Sequence, residues 1–278
     1  MSSRDEWGVI GGSVKFTRLR SERDEVVVNS GSSVPVRDAV VLAAGNGDRF
    51  KNGTRQSKLL ESVLGRPLIL RTLTTAAEAG ITSFHIVVGY QAERLRAVVE
   101  DGAPRGTTVH VTYNPEWHLE NGVSVLSVRE RLHDRRFALL MGDHLFEAAV
   151  LSRLLRMAVR ADESILAIDT RTVAPDIAAE ATKVRLTGDR ITAIGKELSS
   201  YDALDTGLFV CAPPLFAALD IARQTGDTTL SGGIRELAAR GLMRGADVGA
   251  AHWCDIDTLE DLAMAEDLFA SQPASEVA

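Results

Sequence analysis

The sequence predicts an α/β protein, a doubly wound and mostly parallel sheet that carries a small β-hairpin. Three observations predict it. Short apolar runs alternate with segments of helical periodicity between residues 38 and 169, as strands buried on both faces alternate with covering helices. The first apolar run passes straight into a glycine turn, the arrangement shared by several phosphate-binding devices. After Asp169 the alternation gives way to two short strand-like runs around a Gly-Asp turn, which reads as a hairpin.

Taken in order, DAVVLAA (38–44) is the first buried strand. GRPLILRTLTTAAEAG (65–80) is a helix, with Pro67 in its first turn, Leu70, Leu73 and Ala77 at helical spacing, and Gly80 ending it. FHIVVG (84–89) is a strand, QAERLRAVVE (91–100) a helix and TTVHVTY (107–113) a strand. FALLMGD (137–143) is a further buried strand ending in Gly-Asp, followed by helix 149–160 and strand SILAID (164–169). TKVRLTGDRITAIGK (182–196) is the hairpin and DTGLFVC (205–211) the next strand. Helices over 213–222, about 231–240 and 258–270 complete the domain, set at 37–270. Residues 1–36 read as an N-terminal extension, either a disordered tail or a loose edge hairpin, and 271–278 as a frayed tail.

Composition narrows the function classes. The chain has 278 residues, 45% of them hydrophobic, and a formal net charge of −7. An acidic chain of this kind argues against nucleic acid or an anionic membrane as the main partner, so phosphate-binding cations have to be local. No apolar run reaches the roughly 18 residues a membrane span needs. MSSRDEWGVIGGSV lacks an apolar segment of signal-peptide length, so a cytoplasmic protein is expected. Cys211 and Cys254 form no CxxC and read as buried reduced thiols. Should the chain associate, a homodimer is the commonest closed form.

The glycine turn fails two familiar tests. Gly45 and Gly47 begin a dinucleotide fingerprint, but Phe50 stands where the third glycine belongs, which disfavours an NAD-dependent oxidoreductase. Lys58 follows Ser57 and lies far from either glycine, so the turn is not a P-loop. What remains is A-A-G-x-G-x-R and then a lysine. The glycines let backbone N–H groups approach phosphate oxygens. Arg49 adds a planar fork of donors and Lys58 a point charge.

VVLAAGNGDRF…SKLLESVLGRPLILRTL resembles the opening of the nucleotidyltransferases that make activated sugars, polyols and cholines. LLMGDHLF (139–146) resembles the family's Gly-Asp at a central strand end. HWCDIDTLEDL (252–262) resembles its C-terminal acidic motif, and NPEWHLENGVSVL (114–126) its Asn-Gly-x-Ser segment. TKVRL…ITAIGKEL…DTGLF resembles one branch, the CTP:inositol-1-phosphate cytidylyltransferases. The likeness covers about residues 38–269. It departs from the family at Ser57, where proline often precedes the lysine, in the stretch NGTRQ, and in residues 1–36, which have no counterpart.

The resemblance implies roles. Leu42, Ala43, Ala44, Gly45, Asn46, Gly47 and Gly89 would surround a nucleotide, with Arg49 and Lys58 as the catalytic cations on its phosphates. Asn121 and Ser124 would contact base or ribose, helix capping being the alternative for Asn121. Asp143 would hold Mg²⁺ with a second acid from DIDT. We read Asp255 and Asp257 as facing opposite sides of an extended segment, so that only one joins Asp143. Asp257 is favoured and Asp255 is the alternative, a helix N-cap cluster being the competing role for both. Lys183, Lys196, Asp205 and Thr206 would bind the acceptor, Lys183 otherwise being a solvated strand lysine. His144, alone beside Asp143, lacks the cluster a zinc site needs and is not taken as a ligand.

The implied reaction is Mg²⁺-dependent transfer of a cytidylyl group from CTP to a phosphorylated polyol, inositol 1-phosphate first, with release of pyrophosphate. Phosphocholine or a small phosphonate is the nearest alternative acceptor, and a sugar 1-phosphate with another nucleoside triphosphate comes next. A non-catalytic nucleotide sensor is disfavoured because Arg49, Lys58, Asp143 and the DID triplet all survive.

Overall fold

The computed structural model describes residues 35–47, 50, 57–171 and 175–270. The expected extension as far as Val34, the tail from 271, and Arg49 lie outside the described residues.

The chain begins with strand β1 (Asp38–Ala43), a 3₁₀ turn (Lys58–Leu60), a small ribbon of β2 (Ser62–Val63) and β3 (Arg66–Pro67), and helix α1 (Leu68–Glu78). Then come β4 (Ser83–Val88), α2 (Ala92–Gly102), β5 (Thr108–Tyr113), α3 (Asn121–Leu126) and α4 (Arg129–Leu132). Strands β6 (Phe137–Met141) and β7 (His144–Phe146) lead to α5 (Ala148–Arg156), β8 (Ser164–Asp169) and α6 (Pro175–Glu180). The hairpin is β9 (Lys183–Thr187) and β10 (Arg190–Gly195), followed by β11 (Ala203–Cys211), α7 (Pro214–Gln224) and α8 (Leu230–Ala239). Strands β12 (Met243–Asp247) and β13 (Trp253–Asp255) and helix α9 (Leu259–Ala270) end the described chain.

Among the described residues nine strands form one sheet in the order β5-β4-β1-β6-β11-β8-β12-β10-β9. Its first half is parallel, β5 on β4, β4 on β1 and β1 on β6. The second half is mixed, because β11 enters antiparallel between β6 and β8 and also meets β9. The parallel pairing of β12 with β8 was not expected from sequence, since MRGAD is short, carries Arg and Gly, and has no strand periodicity. Strand alternation splits β1 between two apolar layers. Ala39 and Val41 pack with α1 and α5 through Ile69, Leu73 and Leu151, whereas Val40 faces α7 and α8 with Leu219 and Ile234. Among the described residues no helix is long and apolar enough to cross a membrane.

At the opposite end of β4 from the glycine turn, His85 is 4% exposed and its Nε2 lies 3.0 Å from Asp38 Oδ1. Burial holds its pKa below the ordinary value despite the opposing pull of Asp38. A depressed histidine contributes stability that is full above the unfolded pKa and is lost as pH falls through the folded one. Urea unfolding from pH 8 down to about 5 should therefore lose stability more steeply in the wild type than in His85→Gln.

Candidate active site

The site is built where β1, β6 and β13 end side by side. After β1 the chain makes a turn in which Phe50 N–H donates to Gly47 O at 2.9 Å. Gly47 has φ +63, the left-handed region that favours glycine. A Cβ there would stand 3.3 Å from Lys58 Cγ, so the turn lies directly on the lysine stem. Gly142 N–H donates to Leu42 O at 2.9 Å, which ties the end of β6 to the end of β1 and delivers Asp143 beside the turn.

Lys58 is 9% exposed, and its ammonium bonds Asp143 Oδ2 and Asp257 Oδ1, each at 2.7 Å. Burial alone would push its pKa down. The charges of Asp143 and Asp255, with hydrogen bonds to Asp143 and Asp257, outweigh burial and hold the group well above the usual lysine range. Lys58 is therefore a fixed cation.

The second acidic element comes from a two-stranded ribbon. β13 pairs antiparallel with β7 so that Asp255 sits opposite His144, and Ile256 N–H donates to Asp143 O at 3.2 Å. Asp255 and Asp257 do not part to opposite sides as expected. Positions two apart on an extended chain share a side, and here Ile256 between them is fully buried while both acids reach the same centre. The expected metal ligand Asp257 is the acid bonded to Lys58, and Asp255 is the one grouped with Asp143. Neither acid caps the helix that follows. Thr258 and Asp261 do that reciprocally, with Asp261 Oδ2 accepting from Thr258 N–H at 2.8 Å and Thr258 Oγ1 from Asp261 N–H at 3.1 Å.

His144 enters this group as well. Its Nδ1 donates to Thr206 O at 3.0 Å, while its Nε2 faces Asp255 Oδ1 at 3.4 Å and Asp143 Oδ1 at 3.8 Å. Burial opposes its protonation, but Asp255 and Asp143 prevail and raise its pKa to about 9. Burial acts against ionised Asp255 too, and His144 overcomes it, leaving that carboxyl below its usual range. Donor atoms of Asp143, His144 and Asp255 all lie within 4.8 Å of one another, a group that can hold a divalent cation. His144 is not signalled locally because its partner Asp255 is 111 positions away, brought in only by the register of two three-residue strands.

The remaining expected residues divide. Gly45 and Asn46 are exposed, and Ala43 and Ala44 are buried beside them. Ala44 O accepts from Tyr90 N–H at 2.9 Å, which brings Gly89 against the same turn. Gly89 borders an open depression of about 450 Å³ with Gln91, Arg94 and Tyr113. Asn121 is exposed, and its Oδ1 accepts from Leu230 N–H at 2.8 Å, so it caps α8 rather than its own helix. Ser124, expected on a base or ribose, is 4% exposed and its hydroxyl accepts from Asn114 Nδ2 at 3.0 Å. It fastens α3 to the end of β5.

On the acceptor side, Lys183 Nζ donates to Lys196 O at 2.6 Å and Lys196 is exposed, so the hairpin brings these two together. Neither pairs with Asp143 or Asp255 among the described residues. Asp205 Oδ1 accepts from Gly207 N–H at 2.8 Å, and burial raises its pKa to about 6. Thr206, expected on the acceptor, is fully buried, and its hydroxyl donates to Ala167 O at 2.8 Å while its carbonyl accepts from His144 Nδ1. Thr206→Val should cost about 1–2 kcal/mol in urea unfolding and leave catalytic constants unchanged.

Comparison with known proteins adds an independent line. The profile of the MobA-like NTP transferase domain matches residues 39–241. The bifunctional IPC transferase and DIPP synthase of Rubrobacter xylanophilus is 36% identical over 241 residues, which is 85% of this chain and 53% of that protein. The CMP-5'-(3-aminopropyl)phosphonate synthase of Streptomyces rubellomurinus is 38% identical over 123 residues, 44% of this chain and 19% of that protein. The inositol-1-phosphate CTP transferase of T. maritima superposes with a TM-score of 0.74 at 24% identity, covering 87% of this chain and 99% of that one, a likeness of fold. The chain spans about half the length of the Rubrobacter relative.

Proposed function

The chain belongs to the MobA-like NTP transferase family, and from that premise we propose that it is a Mg²⁺-dependent cytidylyltransferase. It would join CTP to a phosphorylated polyol, inositol 1-phosphate first, giving a CDP-alcohol and pyrophosphate. The observation that carries the reading is the Lys58 ammonium, set on the glycine turn and held by Asp143 and Asp257. The choice of CTP and an inositol phosphate is supported by the match to proteins named bifunctional IPC transferase and DIPP synthase over most of this chain.

The acceptor phosphate attacks the α-phosphorus of the nucleotide in line, forming a P–O bond as the bond to pyrophosphate breaks. A phosphate monoester has a second pKa of about 6, so the nucleophile is largely ionised at neutral pH and the protein needs no general base. The task left to the residues is positioning and charge neutralisation. Backbone N–H groups of the turn at Gly45–Gly47 bind phosphate oxygens. Lys58 balances their charge, Arg49 being the second cation the resemblance implies, and because the lysine proton is held so firmly it stays a cation throughout. Asp143 and Asp255 offer the oxygen donors a Mg²⁺ ion takes. When bound, that ion neutralises phosphate charge and orients the triphosphate. Lys183, Lys196 and Asp205 receive the acceptor. The phosphonate synthase match favours a small phosphonate as the second acceptor class.

The test is a matrix of nucleoside triphosphates against phosphorylated alcohols and phosphonates, read as pyrophosphate release. Release should be fastest with CTP and inositol 1-phosphate and should vanish with EDTA. Release that is indifferent to the acceptor, or absent with every pair, would reject the proposal.

A further inference from the structure

We propose that His144 is a direct nitrogen ligand of the divalent cation, completing a site with Asp143 and Asp255 that prefers Mn²⁺ or Co²⁺ to Mg²⁺. The inference rests on the reading above only in taking the acidic group to be a cation site.

Four features of the imidazole point this way. Its Nδ1 is committed as a donor to Thr206 O at 3.0 Å. Without the cation Nε2 holds a proton against the acids; metal binding displaces that proton and leaves Nε2 with a lone pair, aimed at the same acids. A ligating histidine characteristically donates its other N–H to a backbone carbonyl in this way. One of the two separations already fits. Nε2 lies 3.4 Å from Asp255 Oδ1 and 3.8 Å from Asp143 Oδ1. Neighbouring donors about 2.1 Å from a shared ion stand roughly 3.0–3.4 Å apart, so Asp255 is in place and Asp143 needs only a small inward shift. His144 is buried, with 9% exposure, and its ring is wedged: Gly207 has φ +74, and a Cβ there would come within 2.3 Å of His144 Nδ1 and Cε1.

The acids divide their work accordingly. Asp143 Oδ2 and Asp257 Oδ1 hold the ammonium of Lys58. Asp143 Oδ1 and Asp255 Oδ1 are the oxygens that face His144. Two oxygens and an imidazole suit Mn²⁺, Co²⁺ or Zn²⁺, while Mg²⁺ takes oxygen donors.

The experiment is metal binding by nucleotide-free full-length protein. Titration calorimetry with Co²⁺ and with Mg²⁺ should show Co²⁺ bound at least about 10-fold more tightly by the wild type. His144→Gln should lose about 10-fold or more of its Co²⁺ affinity while Mg²⁺ affinity moves by less than about 3-fold. Pulsed EPR of wild type with one equivalent of Mn²⁺ should show coupling to an imidazole nitrogen, and this measurement stands even if the variant does not fold. Absence of nitrogen coupling in the wild type, or equal Co²⁺ affinity in a folded variant, overturns the inference. A failed turnover matrix would leave the metal result untouched. An active cytidylyltransferase without nitrogen coupling would keep the function and lose the ligand.

Discussion

Lys58→Ala is expected to lower kcat/KM by roughly 10²–10³-fold, about 2.7–4 kcal/mol of lost transition-state stabilisation. The reason is positional. The ammonium is held at 2.7 Å by two carboxylates and lies against Gly47, so no solvent cation can take its place with the same orientation. The fold should survive, since the apolar layers do not depend on this lysine. A lysine whose pKa is raised contributes stability that is complete below its unfolded value of about 10.4 and is lost only as pH rises through the folded one. Between about pH 6 and 9 its own contribution is therefore constant. Full activity in Lys58→Ala would remove the lysine from the mechanism.

Asp143→Asn is expected to cost about 10³-fold or more in turnover. The substitution keeps the shape and deletes the charge that meets Lys58 through Oδ2 and faces His144 through Oδ1. Stability should fall by less than the roughly 3–5 kcal/mol typical of stripping a buried charge of its partner, because Lys58 retains Asp257. A folded Asp143→Asn protein, checked by circular dichroism, with near wild-type turnover would dissolve the proposed centre.

Much of this was legible in the sequence. Local patterns announce local structure, so the buried runs of β1, β4, β6 and β8 and the periodicity of α1 are readable from residues in contact along the chain. The glycine turn, Lys58 and Asp143 carry family-like surroundings and emerge the same way. What stayed hidden depends on tertiary register. The entry of β11 between β6 and β8, the pairing of β12 with β8, and the meeting of Asp255 with His144 are set by long-range partners. Thr206 and Ser124 have the right chemistry for a ligand contact, but each hydroxyl is buried on another part of the protein. Hydrogen-bonding capacity is visible in a residue's identity, whereas the direction of its side chain is not.

The antiparallel strand β11 has a bulge between Asp205 and Phe209, with Gly207 inside it. That irregularity yokes specificity to catalysis: the segment proposed to recognise the acceptor is mechanically continuous with the histidine next to the acids. Efforts to retarget the enzyme should leave Gly207 alone and diversify the hairpin tip and the lysine-bearing edge, where altered side chains can change which alcohol is chosen without jostling the inorganic centre.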